Sequence, residues 1–248
     1  MSPPHVSVIL PSYNSAYFLP RAIDSVLQQD FEDYELLVLD NASTDATPEI
    51  VARYSDPRVR FVRHPLNLGM VGNINYGIDW ARGSLGVILC ADDYWAPDFL
   101  SRSVASQRMR SGLTFTNSIV RQNGREKIFS NPFKGLHAVR PWRLIRHFHG
   151  IPLSSLMFPL AVPRERFDHR LPFNCDLEFA LRLMVCRRLP LTFIEWPGIY
   201  VNLHERNETR RYDIRQENIK MLEIVSRYTP PGWLSATIAF QYIKLRYA

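Results

Sequence analysis

Asp92 and Asp93 stand side by side, directly behind the apolar run Leu85, Val87, Ile88 and Leu89. Such a run suits a strand buried on both faces. Adjacent carboxylates at the end of a buried strand lose hydration, and each raises the pKa of the other. A divalent cation, or a set of hydroxyl groups between them, removes that cost. Oxygen ligands of this kind suit Mg2+ or Mn2+. The other reading is local: the pair opens the next turn, and Asp98 caps a helix after Pro97.

The elements that must position this pair follow from the pattern before it. Residues 6–10, 35–39, 59–62 and 85–89 read as strands. Helical patterns lie at 17–29, from Pro48 onward, and from the Asn67–Gly72 loop to about Arg82, where Gly83 ends the helix. Strand and helix alternate at short spacing. That predicts an α/β fold with a mostly parallel sheet flanked by helices. Ligands of such sheets bind beyond the carboxyl ends of the strands. Polar residues gather there: Tyr13 and Asn14 in the turn that begins at Pro11, then Asp40, then Asp92 and Asp93.

The second half is less regular. Residues 113–120 and 125–129 read as strands joined by a turn, 141–149 as a short helix and 153–158 as a strand. Residues 176–187 read as a helix, 191–194 and 199–203 as two strands, and 213–228 and 232–247 as helices. This gives one compact unit over 1–205, with a nucleotide-binding half about 1–110 and an acceptor half 111–205. Residues 206–248 form a C-terminal helical extension.

The chain has 248 residues, 46% of them apolar, and a net charge of +6. That charge suits a phosphorylated ligand, an anionic surface or nucleic acid. The basic residues are spread out apart from Arg206, Arg210 and Arg211, and no concentrated basic face with stacking aromatics argues for nucleic acid. Cys90, Cys175 and Cys186 have no CxxC spacing, which argues against a disulfide framework or a zinc site and for a reducing, cytoplasmic compartment. MSPPH carries no apolar signal region, and no run approaches the roughly 18 apolar residues of a span. His147 and His149 have no evident third ligand and read as structural.

The stretches VSVILPSYN, LVLDNASTDAT, NLGMVGNINYGIDWARG, ILCADD and NCDLEFALRL resemble, in order and spacing, the inverting glycosyltransferases of family 2, with the GT-A (Rossmann-like) fold. The resemblance covers roughly residues 5–205. It implies transfer of a sugar from a nucleotide-diphospho-sugar donor, UDP by preference, to a glycan or lipid-linked acceptor. Tyr13 would lie beside the base and Asp40 would accept from the uracil imide. Packing and turn capping are the alternative roles of these two. Asn67 and Asn75 resemble polar positions lining the nucleotide crevice, or serve loop and helix.

By the same resemblance Asp93 would ligate Mn2+ or Mg2+, and Asp92 would hold the ribose or assist. Many members carry an acid where Cys90 stands, and a glutamate where Cys175 stands. Asp176 aligns with the base, Glu178 being the reserve. A positioned base is worth about 10²–10⁴ in rate; Asp176 otherwise serves its helix dipole. His204 would be a further metal ligand or phosphate contact, or a structural histidine, and Arg210 and Arg211 would neutralise the diphosphate.

Three other readings stand beside this one. A nucleotidyltransferase would want a glycine-rich basic loop after the first strand, and PSYNSAYF has none. A nucleic-acid-binding protein lacks its basic face. A non-catalytic binder of nucleotide sugars fits the Cys90 and Cys175 departures. Without a QxxRW-like motif, one sugar per encounter is expected. The tail WLSATIAFQYIKLRY is too apolar for one helical face to hide. It packs on the domain, on a second subunit in a homo-oligomer, or on the inner membrane face as a peripheral helix.

Overall fold

The computed structural model describes residues 2–131, 133, 137–147, 151–161, 165–205, 207 and 211–247. Its first half is built on β1 (Val6–Ser12), β2 (Tyr34–Asp40), β3 (Val59–Arg63) and β4 (Leu85–Ile88). These four run parallel in the order β3-β2-β1-β4. All seven residues of β2 are buried, as the continuous apolar pattern of a doubly covered strand requires. The helices α1 (Leu19–Leu27), α2 (Thr47–Val51) and α3 (Gly69–Trp80) connect them.

The second half extends the same sheet through β4-β9-β6-β10-β5. Here β5 is Tyr94–Trp95, β6 Leu113–Gln122, β9 Met157–Pro159 and β10 Leu191–Leu203. β9 runs antiparallel between β4 and β6, and β6 and β10 run parallel. β7 (Arg125–Phe129) adds to β6 and β8 (His137–Val139) to β10. The helices are α4 (Phe99–Met109), α5 (Pro141–His147), α6 (Cys175–Cys186), α7 (Ile214–Ser226) and α8 (Trp233–Tyr247).

Each face of the sheet buries its own core. Ile23, Val26, Phe99 and Val104 belong to one, on the side of α1 and α4. Ile74, Ile78, Phe179, Met221 and Ile238 belong to the other, on the side of α3 and α6–α8. Helix α3 lies close on the strands: a Cβ at Gly77 would come within 2.5 Å of Ile9 and 2.6 Å of Leu39. Only glycine permits that approach.

Several elements differ from the sequence pattern. LSSLMF is not one strand; Leu153–Ser155 form a 3-10 turn and β9 starts at Met157. The two strands expected at 191–194 and 199–203 are one, with register shifts around Pro197. Helix α3 stops at Trp80 with Ala81 extended. Gly83 is there for a close approach, since a Cβ would stand 2.7 Å from the Ser7 nitrogen. Helix α8 packs against α5 and α7. Its Ile238 is buried, and Gln241 donates from Nε2 to the Arg146 carbonyl at 2.6 Å.

Candidate active site

The crevice opens where β4 leaves β1. Their pairing ends at Ile9 and Ile88, while β1 continues beside β2 through Pro11 and Ser12. Beyond it the loops after β1 and β2 are knit together. Asn14 takes the left-handed φ of 49° that asparagine tolerates. Its Oδ1 accepts from the Thr44 N–H at 2.8 Å, and its own N–H donates to Ser43 Oγ at 2.8 Å. Tyr13 is exposed at the crevice edge.

Asp40 is fully buried. Its Oδ1 accepts from the Ser43 N–H at 3.2 Å, and Arg63 Nε stands 3.3 Å from Oδ2. That second contact is an ion pair without hydrogen-bond alignment, which leaves a buried acceptor without a donor. Beside it lies an open cleft of about 380 Å³ lined by Ala42, Arg63, His64 and Pro65.

The acidic pair sits at the centre. Asp93 is buried; its Oδ2 accepts from Ser154 Oγ at 2.6 Å and its Oδ1 from the Asn202 N–H at 3.2 Å. Desolvation, and then the Asp92 charge, hold its carboxyl well above the usual range. Asp92 is more open. Its Oδ2 takes His204 Nε2 at 3.1 Å and Asn207 Nδ2 at 2.9 Å. The His204 ring stacks on Phe18 with centroids 4.4 Å apart. The Cys90 thiol and one oxygen each of Asp92 and Asp93 lie within 4.8 Å of one another. Two carboxylates at one spot, one desolvated and strained by the other, fit a divalent cation that restores the missing charge.

Asp176 opens α6, partly buried, with its Oδ1 accepting from the Leu177 N–H at 2.7 Å. Burial raises its pKa to about 7 against the lowering pull of that N–H. The neighbouring Cys175 thiol acts electrostatically on Cys90, so the start of α6 lies near the acidic pair.

Other sequence-derived candidates are engaged elsewhere. Glu178 is buried and accepts from Arg182 Nε at 2.8 Å and from the Tyr228 hydroxyl at 3.3 Å. These contacts hold its carboxylate in the packed interior, 1% exposed. Asn75 closes a two-way clamp on the Phe167 backbone, Oδ1 accepting at 2.8 Å and Nδ2 donating at 2.9 Å, which leaves little of its amide for a nucleotide. Asn67 Oδ1 accepts from Asn41 Nδ2 and from the Gly69 N–H, both at 2.8 Å, and orders the loop before α3. Arg211 is exposed between β10 and α7. Arg206, Arg210, the His147 side chain and His149 lie outside the described residues.

Sequence reasoning missed Ser154, Asn202, Asn207 and Phe18. The only signal for Ser154 was its place in LSSLMF, read as a strand. The turn it occupies is fixed when Trp95 Nε1 donates to its carbonyl at 2.7 Å.

Residues 7–150 match the model of Glycosyl transferase family 2. Over 101 residues the chain is 43% identical to the succinoglycan biosynthesis protein ExoO of Rhizobium meliloti (strain 1021), covering 41% of this chain and 29% of that one. It is 33% identical over 110 residues to the Escherichia coli UDP-Glc:alpha-D-GlcNAc-diphosphoundecaprenol beta-1,3-glucosyltransferase WfgD, covering 44% and 43%. The chain thus spans less than half the length of these two curated relatives. Among solved structures it is similar to S. aureus TarS 1-349 in complex with UDP-GlcNAc, with TM-score 0.80 and 18% identity, covering 98% of this chain and 72% of that one. It is also similar to the mannosyltransferase PcManGT of Pyrobaculum calidifontis in complex with GDP-Man and Mn2+, with TM-score 0.72 and 20% identity, covering 100% and 71%. The mixed sheet flanked by helices is thus the GT-A fold, and the chain belongs to glycosyl transferase family 2.

Proposed function

We propose that this protein transfers one sugar per encounter from a nucleotide-diphospho-sugar, UDP-linked, to an acceptor hydroxyl with inversion. The observation that carries this is the gathering of Asp92, buried Asp93 and the Cys90 thiol at the end of β4. A carboxylate with pKa about 7 opens α6 nearby. The buried Oδ2 of Asp40, ion-paired with Arg63 but without a hydrogen-bond donor, supports base recognition at the end of β2.

Asp93 and Asp92 would hold Mn2+ or Mg2+ against the donor diphosphate, with His204 orienting Asp92. The cation supplies Lewis-acid stabilisation of the leaving group. Asp176 accepts the proton of the acceptor hydroxyl as that oxygen attacks the anomeric carbon. Its Oδ2 is the atom for the proton, because Oδ1 is held by Leu177. The bond from the anomeric carbon to the diphosphate breaks on the opposite face, which inverts the centre.

In this reading 1–205 is the catalytic unit, with donor half about 1–110 and acceptor half 111–205, and 206–248 is a helical extension docked on it. The names of relatives in succinoglycan and diphosphoundecaprenol chemistry support a role in polysaccharide or glycolipid biosynthesis, with a lipid-linked acceptor met from the cytoplasm. No described helix is long and apolar enough to cross a membrane, so the proposed contact is peripheral.

A thermal-shift panel of UDP and GDP sugars, with and without Mn2+, tests it, since a ligand of the native state raises its melting temperature by mass action. A metal-dependent shift with a UDP-sugar, followed by release of UDP on turnover, is expected. A panel with no shift contradicts the proposal.

A further inference from the structure

The position of Cys90 has a consequence for the cation that the acidic pair takes. We infer that the Cys90 thiol is a third ligand of this site and biases it toward thiophilic cations, of the Zn2+ and Co2+ kind, over Mg2+. The inference rests on the metal-dependent reading above.

The geometry is that of a donor set already assembled. The Cys90 Sγ and an oxygen of each of Asp92 and Asp93 lie within 4.8 Å of one another. One hydroxyl ties the set together: Ser154 Oγ donates to Asp93 Oδ2 at 2.6 Å and accepts from the Cys90 N–H at 3.1 Å. The turn carrying Ser154 is itself pinned by the Trp95 indole. The imidazole of His204 completes the surroundings through Asp92.

The chemistry follows from ligand softness. Two carboxylates alone suit hard cations such as Mg2+, while a thiolate favours softer ones. Binding requires Cys–SH and the cation to give a cation–thiolate bond and a proton, which leaves to water. Mg2+ has too little affinity for sulfur to form that bond, so it would bind through oxygens alone. A thiophilic cation forms it and gains a ligand. A carboxylate at residue 90, as many members of the family carry, offers no such discrimination.

The test uses the full chain with UDP and Cd2+ or Co2+ as probes. The readouts are thiolate-to-metal absorption in the near ultraviolet and calorimetric affinity. The wild type should develop the absorption on titration, and Cys175→Ser and Cys186→Ser should keep it. Cys90→Ser should lose it. Removing even an outer-shell partner costs about 10- to 100-fold in metal affinity, so Cd2+ affinity should fall at least ~10-fold in that variant. Cys90→Asp should lose the absorption and shift preference toward Mg2+. Absorption that survives Cys90→Ser overturns the inference. So does Cd2+ binding to the wild type without absorption while Mn2+ still strengthens UDP binding, in which case the metal-dependent reading stands. If no cation affects UDP binding, that reading falls and takes the inference with it.

Discussion

His204 Nε2 lies 3.1 Å from Asp92 Oδ2, joining the end of β10 to the end of β4 across 112 residues of sequence. The imidazole is held from two sides, by the carboxylate and by the Phe18 ring stacked at 4.4 Å. Asn207 donates to the same oxygen. Asp92 is thereby fixed in direction before any ligand arrives. Orientation of a ligating or near-ligating carboxylate is worth about 10- to 100-fold in affinity. His204→Ala should therefore weaken Mn2+-dependent UDP binding by that factor in calorimetry. His204→Gln, which keeps a donor, should recover part of it. Unchanged affinity in both would remove His204 from the site.

The pKa of Asp176, about 7, sets a pH dependence. A base must be ionised, so kcat/KM should rise with pH through about 7 and level off above it. The same shift acts on stability with the opposite sense. The folded protein holds the Asp176 proton up to about 7, whereas an unfolded aspartate loses it near the model value of 3.8. Stability from this group is thus fully present below that value and falls as pH rises through the interval. Asp176→Asn should lose about 10² or more in turnover while keeping donor binding. It should also melt higher than the wild type at pH 8 and alike at pH 3.5. A wild-type melting curve that does not respond would contradict the burial of this carboxyl.

Glu178→Gln separates packing from chemistry. Glu178 is 1% exposed and paired with Arg182, itself 20% exposed. Breaking a buried pair typically costs about 3–5 kcal/mol. Arg182 keeps Glu165 as a partner, so the loss should sit at the low end, near 3 kcal/mol. Denaturant unfolding should register it, while kcat of the folded enzyme stays within about twofold. Loss of turnover at full stability would instead make Glu178 the base.

The first half of the fold was legible because β1, β2 and β4 are buried on both faces and each connection is a helix. Continuous apolar runs in β1, β2 and β4 have no other use. The second half was less so. The Ser154 turn breaks a run that reads as a strand, because its hydroxyl serves Asp93 rather than its own segment. β10 reads as two strands because Pro197 falls at its bulge. Among site residues the acids at strand ends were readable from position. The partners that hold them were not, because Ser154, Asn202 and Asn207 lie 61, 109 and 115 residues from the acid each one binds. The contacts of Asn75 and Glu178 were hidden for the same reason: Asn75 holds the Phe167 backbone 92 residues away, and Glu178 meets Tyr228 50 residues away.

The surface of α8 yields the last prediction. Ile238 and Gln241 are buried, so ending the chain at about Gly232 would open the core and cannot isolate a surface role. The opposite side exposes Phe240 at 66% and Ile243 at 58%. Lys244 and Arg246 are exposed along the same last turns. A short apolar stripe with basic residues beside it suits an anionic bilayer. At roughly 1 kcal/mol per basic residue near such a surface, the two charges supply about 2 kcal/mol, enough for weak, reversible attachment when the two apolar side chains also insert. The wild type should sediment with phosphatidylglycerol vesicles and stay in solution with phosphatidylcholine, and added salt should release it. Phe240→Ser with Ile243→Ser should leave the melting temperature unchanged and abolish sedimentation, since neither side chain is in the core. Lys244→Glu should weaken sedimentation through charge. If the wild type stays in solution with both lipids and instead sediments as a dimer that the Phe240 and Ile243 pair of substitutions splits, the stripe is a contact between two copies of this chain. Membrane proximity would then come from the acceptor alone.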